Sequence, residues 1–349
     1  MRSYQVTEFG QPLVPAERET PTPAGTEVLL RVRACGVCHS DVHLWDGYFD
    51  LGEGRKLHAP PPEALPLTPG HEIVGEVVAV GPDADGVAVG DRRVVYPWIG
   101  CGECAVCRSD NEHLCGRPRA LGITQAGGYS DHCLVPHARY LFAYDDIPEE
   151  LACTYACSGL TAYSALKKVG RLGDGDSLVI IGAGGVGLAG IRFAEAVNGV
   201  APIAVDIDDA KLAAARDAGA RDTVNAGDDE AAKELRRKTG GGAAAAIDFV
   251  GSTRSAAFGD RALRKGGKLV IVGLFGGTLT LPLPLIPMRS ITVTGSYVGT
   301  PAEMRELMDL VRGGIVAPMP LSERPLDQAT SALEDLRAGR VVGRVVLRP

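Results

Sequence analysis

Ser177-Leu178-Val179-Ile180-Ile181-Gly182-Ala183-Gly184-Gly185-Val186-Gly187, running on into Leu188 to Val197, is the stretch that decides the fold. A short apolar run of this length, closed by glycine, predicts a buried strand, and the residues after Gly187 predict a helix. Between them stands G-x-G-x-x-G: Gly182 for the tight turn, Gly184 for close backbone approach to a pyrophosphate, Gly187 for packing helix on strand, with Gly185 and Val186 opening the helix toward the phosphates. The glycines alone equally describe a Gly-rich turn; the strand before and the helix after make them a dinucleotide cradle. The next strand ends at Asp206, nineteen residues past Gly187, where a carboxylate can accept hydrogen bonds from an adenosine ribose. An ordinary strand-end carboxylate is the plain alternative. Ile207, Asp208 and Asp209 offer no base for a 2′-phosphate, so NAD is favoured over NADP, with Lys211 as a further ribose contact.

Outward from this turn the same texture continues. Pro202 to Val205, Ala246 to Val250 and Lys268 to Val272 read as further buried strands, alternating with Ala-rich helical stretches from about Ala152 onward, which predicts a parallel sheet covered on both faces. Upstream, from Glu27 to Val95, short β-rich runs such as Val28 to Val32 and Ile73 to Val80 alternate with Gly and Pro turns, predicting a β-rich domain. A chain of 349 residues exceeds one ordinary core, so two domains are expected. The net charge of −7 and pI of about 5.6 argue against nucleic acid or an anionic membrane as partner. The first ten residues do not read as a secretory signal, and the late apolar stretch Leu281 to Ile291 is broken by Pro282, Pro284 and Pro287; the cytoplasm is the expected compartment. Nine cysteines, an odd number with four crowded together, fit reduced thiols or metal ligands better than disulfides.

Those four are Cys101-x2-Cys104-x2-Cys107-x7-Cys115. Four thiolates in one short loop suit a structural Zn²⁺ with no open position, although an iron–sulfur cluster uses a similar ligand set. Cys38, in Cys35-Gly36-Val37-Cys38-His39-Ser40-Asp41-Val42-His43, is a candidate ligand for a second metal, but Cys35 and Cys38 also form a C-x-x-C that a redox pair would use. Gly70-His71-Glu72 sets an imidazole and a carboxylate at the start of a strand. Periodicity does not join them to a third ligand.

Taken with these motifs, Cys157-Ser158-Gly159-Leu160-Thr161-Ala162-Tyr163 completes a pattern that resembles the zinc-containing medium-chain alcohol dehydrogenases over nearly the whole chain. The resemblance implies an α/β protein: a GroES-like β-rich catalytic domain, 1–157 and 297–349, interrupted by a Rossmann domain of doubly wound parallel sheet, 158–296. It implies two zinc ions per chain, one held by Cys38, His71 and Cys157 with Glu72 as a close and transient neighbour. Asp41 matches the family position that hydrogen-bonds the liganding histidine. Ser40 matches the hydroxyl that contacts the alcohol, and His43 the outer end of a proton relay through the cofactor ribose. His39 stands where the family often has a pyrophosphate arginine, which makes that contact weaker or pH-sensitive. Thr161, Val250, Val272, Gly273, Ser296 and Arg344 are implied around the cofactor. Cys35, Cys133 and Cys153 are left as buried core thiols.

Hydride transfer between an alcohol and NAD, giving an aldehyde or ketone, is therefore expected. Trp45, Tyr48, Trp98, Leu274 and Tyr297 are candidate pocket walls, pointing to an apolar or aromatic alcohol, with plain core packing the alternative reading. The segment Gly47 to Lys56 and the Pro60 to Pro62 stretch lengthen the span between Cys38 and His71 and are read as a loop at the mouth of the site. A polyol dehydrogenase or aldehyde reductase is the runner-up, with Cys157 weighing against the polyol enzymes, and a non-catalytic NAD-binding sensor stands further off. A homo-oligomer, tetramer ahead of dimer, is expected through the apolar β segment Ile291 to Tyr297.

Overall fold

Short apolar runs bounded by glycine and proline become strands here, and the Ala- and Leu-rich stretches between them become helices. The computed structural model describes residues 1–228, 230–314 and 319–349. The chain opens with β1 (Arg2–Gln5), β2 (Val14–Glu17) and β3 (Val28–Gly36), then helix α1 (His39–Asp46) and a hairpin of β4 (Tyr48–Gly52) and β5 (Arg55–His58). There follow β6 (Glu72–Val80), β7 (Arg92–Val95), α2 (Ala105–Arg108), β8 (His132–Val135), β9 (Leu141–Phe142), α3 (Glu149–Ala152) and α4 (Ser158–Val169). Strand and helix then alternate through β10 (Leu178–Ile181), α5 (Gly185–Asn198), β11 (Ile203–Asp206), α6 (Asp209–Asp217), β12 (Asp222–Asn225), α7 (Ala231–Lys238), β13 (Ala243–Asp248), α8 (Thr253–Ala262), β14 (Leu263–Ile271), α9 (Leu285–Arg289) and β15 (Thr292–Gly295). The chain closes with α10 (Pro301–Arg312), β16 (Leu321–Pro325), α11 (Ala329–Arg337) and β17 (Arg344–Arg348).

These elements form two compact units: Met1–Tyr48, His58–Leu160 and Val298–Pro349 in one, Phe49–Leu57 and Thr161–Tyr297 in the other. The first is built on a sheet in the order β16-β17-β3-β6-β7-β9, with β8 also pairing β3. Along β3, Val28, Leu30, Val32 and Ala34 are buried while Arg31 and Arg33 face outward, the two-residue alternation of a half-buried strand. The antiparallel register Cys35↔Ile73 and Gly36↔Glu72 brings the end of β3, which leads to Cys38, beside the start of β6, which follows His71. β17 adds on the other side of β3 through Val346↔Gly36. That pairing decides where the C-terminal residues go.

The second unit is a parallel sheet in the order β12-β11-β10-β13-β14-β15 joined by helical crossovers. Its strands are apolar on both faces because helices cover both; Val179, Ile181, Ile203, Val205, Leu235, Ala246 and Leu269 share one core, each contributing roughly 1.5–3 kcal/mol by burial where the side chain is large. The architecture is thus a GroES-like β domain with a Rossmann sheet. β13 stops at Asp248 rather than Val250, because the Asp248 carboxylate accepts the Val250 and Gly251 N–H groups (2.9 and 3.0 Å) and turns the chain out of the ladder. The segment read as a loop in the catalytic domain is instead the β4–β5 hairpin, and its residues 49–57 pack with the second unit. No described helix is long and apolar enough to cross a membrane.

Candidate metal centres and dinucleotide site

Helix α1 carries five of the candidate site residues, and its first turn is organised by one carboxylate. Asp41 Oδ2 accepts the N–H of Cys38 (2.9 Å) and the Tyr129 hydroxyl (3.3 Å), while Oδ1 accepts the N–H of Gly70 (3.2 Å) and faces His71 Nδ1 (3.1 Å). The other ring nitrogen, His71 Nε2, is buried and has no hydrogen-bond partner, on a side chain with 0% exposure. An orphan of that kind costs about 1–3 kcal/mol unless something else satisfies it. The sulfurs of Cys38 and Cys157 lie 3.9 Å apart, and with a histidine nitrogen the three potential ligand atoms fall within 4.8 Å of one another. Two thiolates and an imidazole are the donor set of a catalytic zinc with one position left open, and Asp41 fixes the imidazole so that Nε2 is the ligating atom. The residues therefore fit the ion. The Cys38 thiol is drawn well below its ordinary range by its hydrogen bond with Cys157, against desolvation, with help from Arg344 and His71. Cys38 is thus matched with Cys157, while burial pushes the Cys35 thiol far up.

The second cluster is Cys101, Cys104, Cys107 and Cys115, whose sulfurs also lie within 4.8 Å of each other. Backbone amides already point at them: Cys101 N–H and Arg117 N–H each lie 3.3 Å from the Cys115 sulfur, and Cys107 N–H lies 3.5 Å from that of Cys104. Such bonds favour thiolate, and the Cys101 thiol is lowered to about 6, chiefly by backbone N–H groups of Glu103 and Cys104. Buried Glu112 ties this lobe to the sheet, accepting from Gly100 N–H (3.2 Å), Tyr140 Oη (2.7 Å) and Arg139 (2.9 Å). Four sulfurs, with no fifth donor grouped with them among the described residues, fit a structural zinc.

In the second unit, Gly182 has φ of +90°, and a Cβ there would lie 2.6 Å from Val250 Cγ2; one on Gly187 would collide with the Gly182 carbonyl. Gly184 differs: a Cβ there would point into open space. Closed packing at two glycines and room at the third is the cradle a pyrophosphate needs at the N-terminus of α5. Asp206, at the end of β11, accepts the Ala183 N–H at 2.7 Å and the Ile207 N–H at 2.8 Å, so its carboxylate is set beside the cradle.

The amino-terminal region, residues 24–146, matches the family model "Alcohol dehydrogenase GroES-like domain", and residues 185–313 match "Zinc-binding dehydrogenase". The chain is 39% identical over the full length of both chains to the NAD-dependent alcohol dehydrogenase of Sulfurisphaera tokodaii. Among solved structures, the alcohol dehydrogenase of Aeropyrum pernix superposes with a TM-score of 0.89 at 30% identity, covering 100% of each chain. The acetophenone reductase of Geotrichum candidum in complex with NAD gives 0.86 at 27%, covering 100% of this chain and 97% of that one. The chain belongs to the zinc-containing medium-chain alcohol dehydrogenases. It is an oxidoreductase of that class.

For this alcohol dehydrogenase family member, several expected residues take other positions. Arg344, expected at the cofactor, is 4% exposed on β17, and its guanidinium donates to both oxygens of Glu72, through Nε at 2.9 Å and also through Nη2. Glu72 Oε1 accepts the Ser158 N–H as well (3.1 Å), so the carboxylate expected as a close neighbour of the metal is held by Arg344 and Ser158. Register explains both: β17 on one side of Gly36 and β6 on the other bring Arg344 and Glu72 together. Trp45, expected as a pocket wall, is 1% exposed, donates to the Gln11 carbonyl and lies under the Arg337 guanidinium (4.3 Å), on the face of α1 toward α11. Trp98 does border the metal centre, its ring 5.2 Å from that of His71 and its Nε1 donating to the Ala156 carbonyl (3.0 Å). Ser40 and His39 are half-buried at the start of α1, and the His39 and His43 rings meet edge to face at 5.5 Å.

In the second unit, Val250 and Gly273 come together at the ends of β13 and β14, with the Val272 and Gly273 N–H groups both donating to the Asp248 carbonyl (2.9 and 3.0 Å). Thr161 is buried, and Ser296 buries a hydroxyl that has no partner. Lys211 is half-buried in the first turn of α6; Leu274 and Tyr297 are exposed. Sequence reasoning passed over Asp248 and Tyr129. Asp248 sits inside a quoted strand, yet nothing in an apolar run marks its carboxylate as the organiser of the turn, and Tyr129 is distant in sequence from the Asp41 it supports.

Proposed function

We propose that this protein transfers hydride between an apolar or aromatic alcohol and NAD, yielding the aldehyde or ketone. The observation that carries the reading is the buried, unpartnered His71 Nε2 facing the Cys38 and Cys157 sulfurs, with Asp41 behind it. A zinc ion held by those three residues supplies Lewis acidity that makes an alcohol hydroxyl far more acidic, as it does for water, whose pKa falls from about 16 to about 7. Ser40 holds the alcohol hydroxyl and takes its proton. His43, pushed below its usual 6.5 by burial and by His39, stays neutral at pH 7 and is the outer acceptor that returns the proton to solvent. The Gly182 to Gly187 turn serves the pyrophosphate, and Thr161, Val250, Val272, Gly273 and Ser296 border the rest of the dinucleotide. Asp206, with Lys211, receives the adenosine ribose and disfavours NADP.

Trp98 beside His71 supplies an apolar wall, which suits a secondary aliphatic or benzylic alcohol better than ethanol. A second copy of the chain pairs along β15, next to exposed Leu283, Leu285, Met288 and Val293, giving a dimer or tetramer. Nine free cysteines suit a reducing compartment such as the cytoplasm. The test is alcohol-dependent reduction of NAD by zinc-replete protein across ethanol, secondary aliphatic, benzylic and cinnamyl alcohols. The best turnover is expected with the bulkier alcohols, and Ser40→Ala should lower kcat by about 10²-fold or more while both zincs stay bound. No turnover with any of these alcohols, in protein that carries zinc and binds NADH, overturns the reading.

A further inference from the structure

The tip of the β4–β5 hairpin has a place that no part of the proposed reaction explains. Its chain neighbours on both sides belong to the first unit, yet residues 49–57 pack with the second. The packing is glycine against glycine. A Cβ on Gly52 (φ +78°) would lie 2.9 Å from the Gly277 carbonyl carbon and 3.0 Å from the Thr278 methyl, and a Cβ on Gly276 (φ +119°) would lie 2.7 Å from both the Cβ and the carbonyl oxygen of Asp50. Gly277 (φ +117°) meets Thr253 Oγ1 on its other side in the same way. The hairpin tip is itself set by Asp50, whose Oδ1 accepts the Gly52 N–H at 2.7 Å.

Residues 273–278, which follow β14, are thus gripped from two directions. On one side Thr253, at the start of α8, accepts the Thr278 N–H (2.9 Å), and the Val250 and Gly251 carbonyls accept the N–H groups of Phe275 and Gly276 (3.1 and 3.0 Å). On the other side stands the hairpin tip. Backbone brought this close tolerates no side chain at three positions, and those positions have backbone angles that side-chain-bearing residues rarely adopt.

We infer that the β4–β5 hairpin is a brace for the nicotinamide half of the cofactor site, holding the 273–278 loop, and Gly273 with it, in its binding shape. The inference rests on the proposal that NAD binds this unit. In the strand order β11-β10-β13-β14, Asp206 and the braced loop are separated by three strand spacings, roughly 14 Å. With the adenosine ribose at Asp206 and the pyrophosphate at Gly184, the nicotinamide mononucleotide half reaches over the ends of β13 and β14. The brace therefore acts on one half of the dinucleotide only, and Gly52, Gly276, Gly277 and Thr253 are positioning residues.

The experiment titrates zinc-replete wild type, Gly52→Val and Thr253→Val with NADH by fluorescence and with AMP by competition. Gly52→Val lifts the tip from Gly277; Thr253→Val removes the acceptor on the opposite side without adding bulk, and serves if the first variant does not fold. If release leaves the loop in its binding shape one-tenth of the time, the NADH Kd rises about tenfold in either variant, while the AMP Kd stays within about twofold. Faster hydrogen exchange at the amides of Phe275, Gly276 and Thr278 should accompany it. Unchanged NADH affinity in a folded variant overturns the brace, and so does parallel loss of NADH and AMP binding, which is general damage. Wild type that binds AMP but not NADH overturns the cofactor reading itself, and the brace with it.

Discussion

Two buried carboxylates a few residues apart in space do different work because of what surrounds them. Asp41 accepts from four groups and sets the orientation of a ligand, whereas Glu72 is neutralised by Arg344. Removing the guanidinium leaves Glu72 as a buried charge with little beyond the Ser158 N–H, so Arg344→Ala is expected to cost about 3–5 kcal/mol, read as a lowered denaturant midpoint; an unchanged midpoint would show that the pair is not structural. His43 gives a pH prediction. Burial first, then the charge of His39, lowers its pKa below 6.5, opposed by Cys38 and Asp46. As the folded value lies below the unfolded one, protonation is disfavoured in the folded state: stability from this group is fully present above 6.5 and is lost as pH falls below it through the lower folded value, where proton acceptance is lost as well. Alcohol oxidation should therefore hold its rate from pH 7 down to about 6.5 and decline below it. In His43→Gln that acid limb should disappear; a limb that persists unchanged assigns it to another group.

At the scale of elements, the four-cysteine lobe contains one short helix, α2, and little apolar burial of its own, with Cys107 and Cys115 as its buried sulfurs. Its order depends on a cross-link rather than a core, and Glu112 ties it to Gly100 and to Tyr140, the residue before β9. Cys107→Ser is expected to drop bound zinc from two ions to about one per chain and to open the 101–117 segment to protease, with turnover per catalytic zinc nearly kept. Retention of both ions would mean that three sulfurs suffice. The lobe was legible from spacing alone, because ligand chemistry within fifteen residues is local. The hairpin was not: its residues are mostly exposed with two loop glycines, and nothing local says that Gly52 meets Gly277.

For the whole molecule, assembly is the open prediction. β15 closes the parallel sheet on one side among the described residues, with Val293 40% exposed beside a run of apolar side chains on and around α9. Val293→Lys should shift the particle toward the monomer in light scattering at unchanged zinc content; a monomeric wild type would remove this interface. What the amino-acid sequence determined by itself were the parts whose physics is short-range. A strand, a glycine turn and a helix within twenty residues make the dinucleotide cradle, and four thiols in one loop make a metal lobe. The family pattern then supplied the catalytic ligands, which spacing had left apart. Tertiary structure decided what depends on contacts between distant elements: β17 beside β3 sets Arg344 against Glu72, and the α1–α11 packing turned Trp45 from pocket wall to core. A single-residue shift in the pairing of β17 would send Arg344 to the opposite face of the sheet, and that register is set by the summed burial of the sheet rather than by any local run of residues.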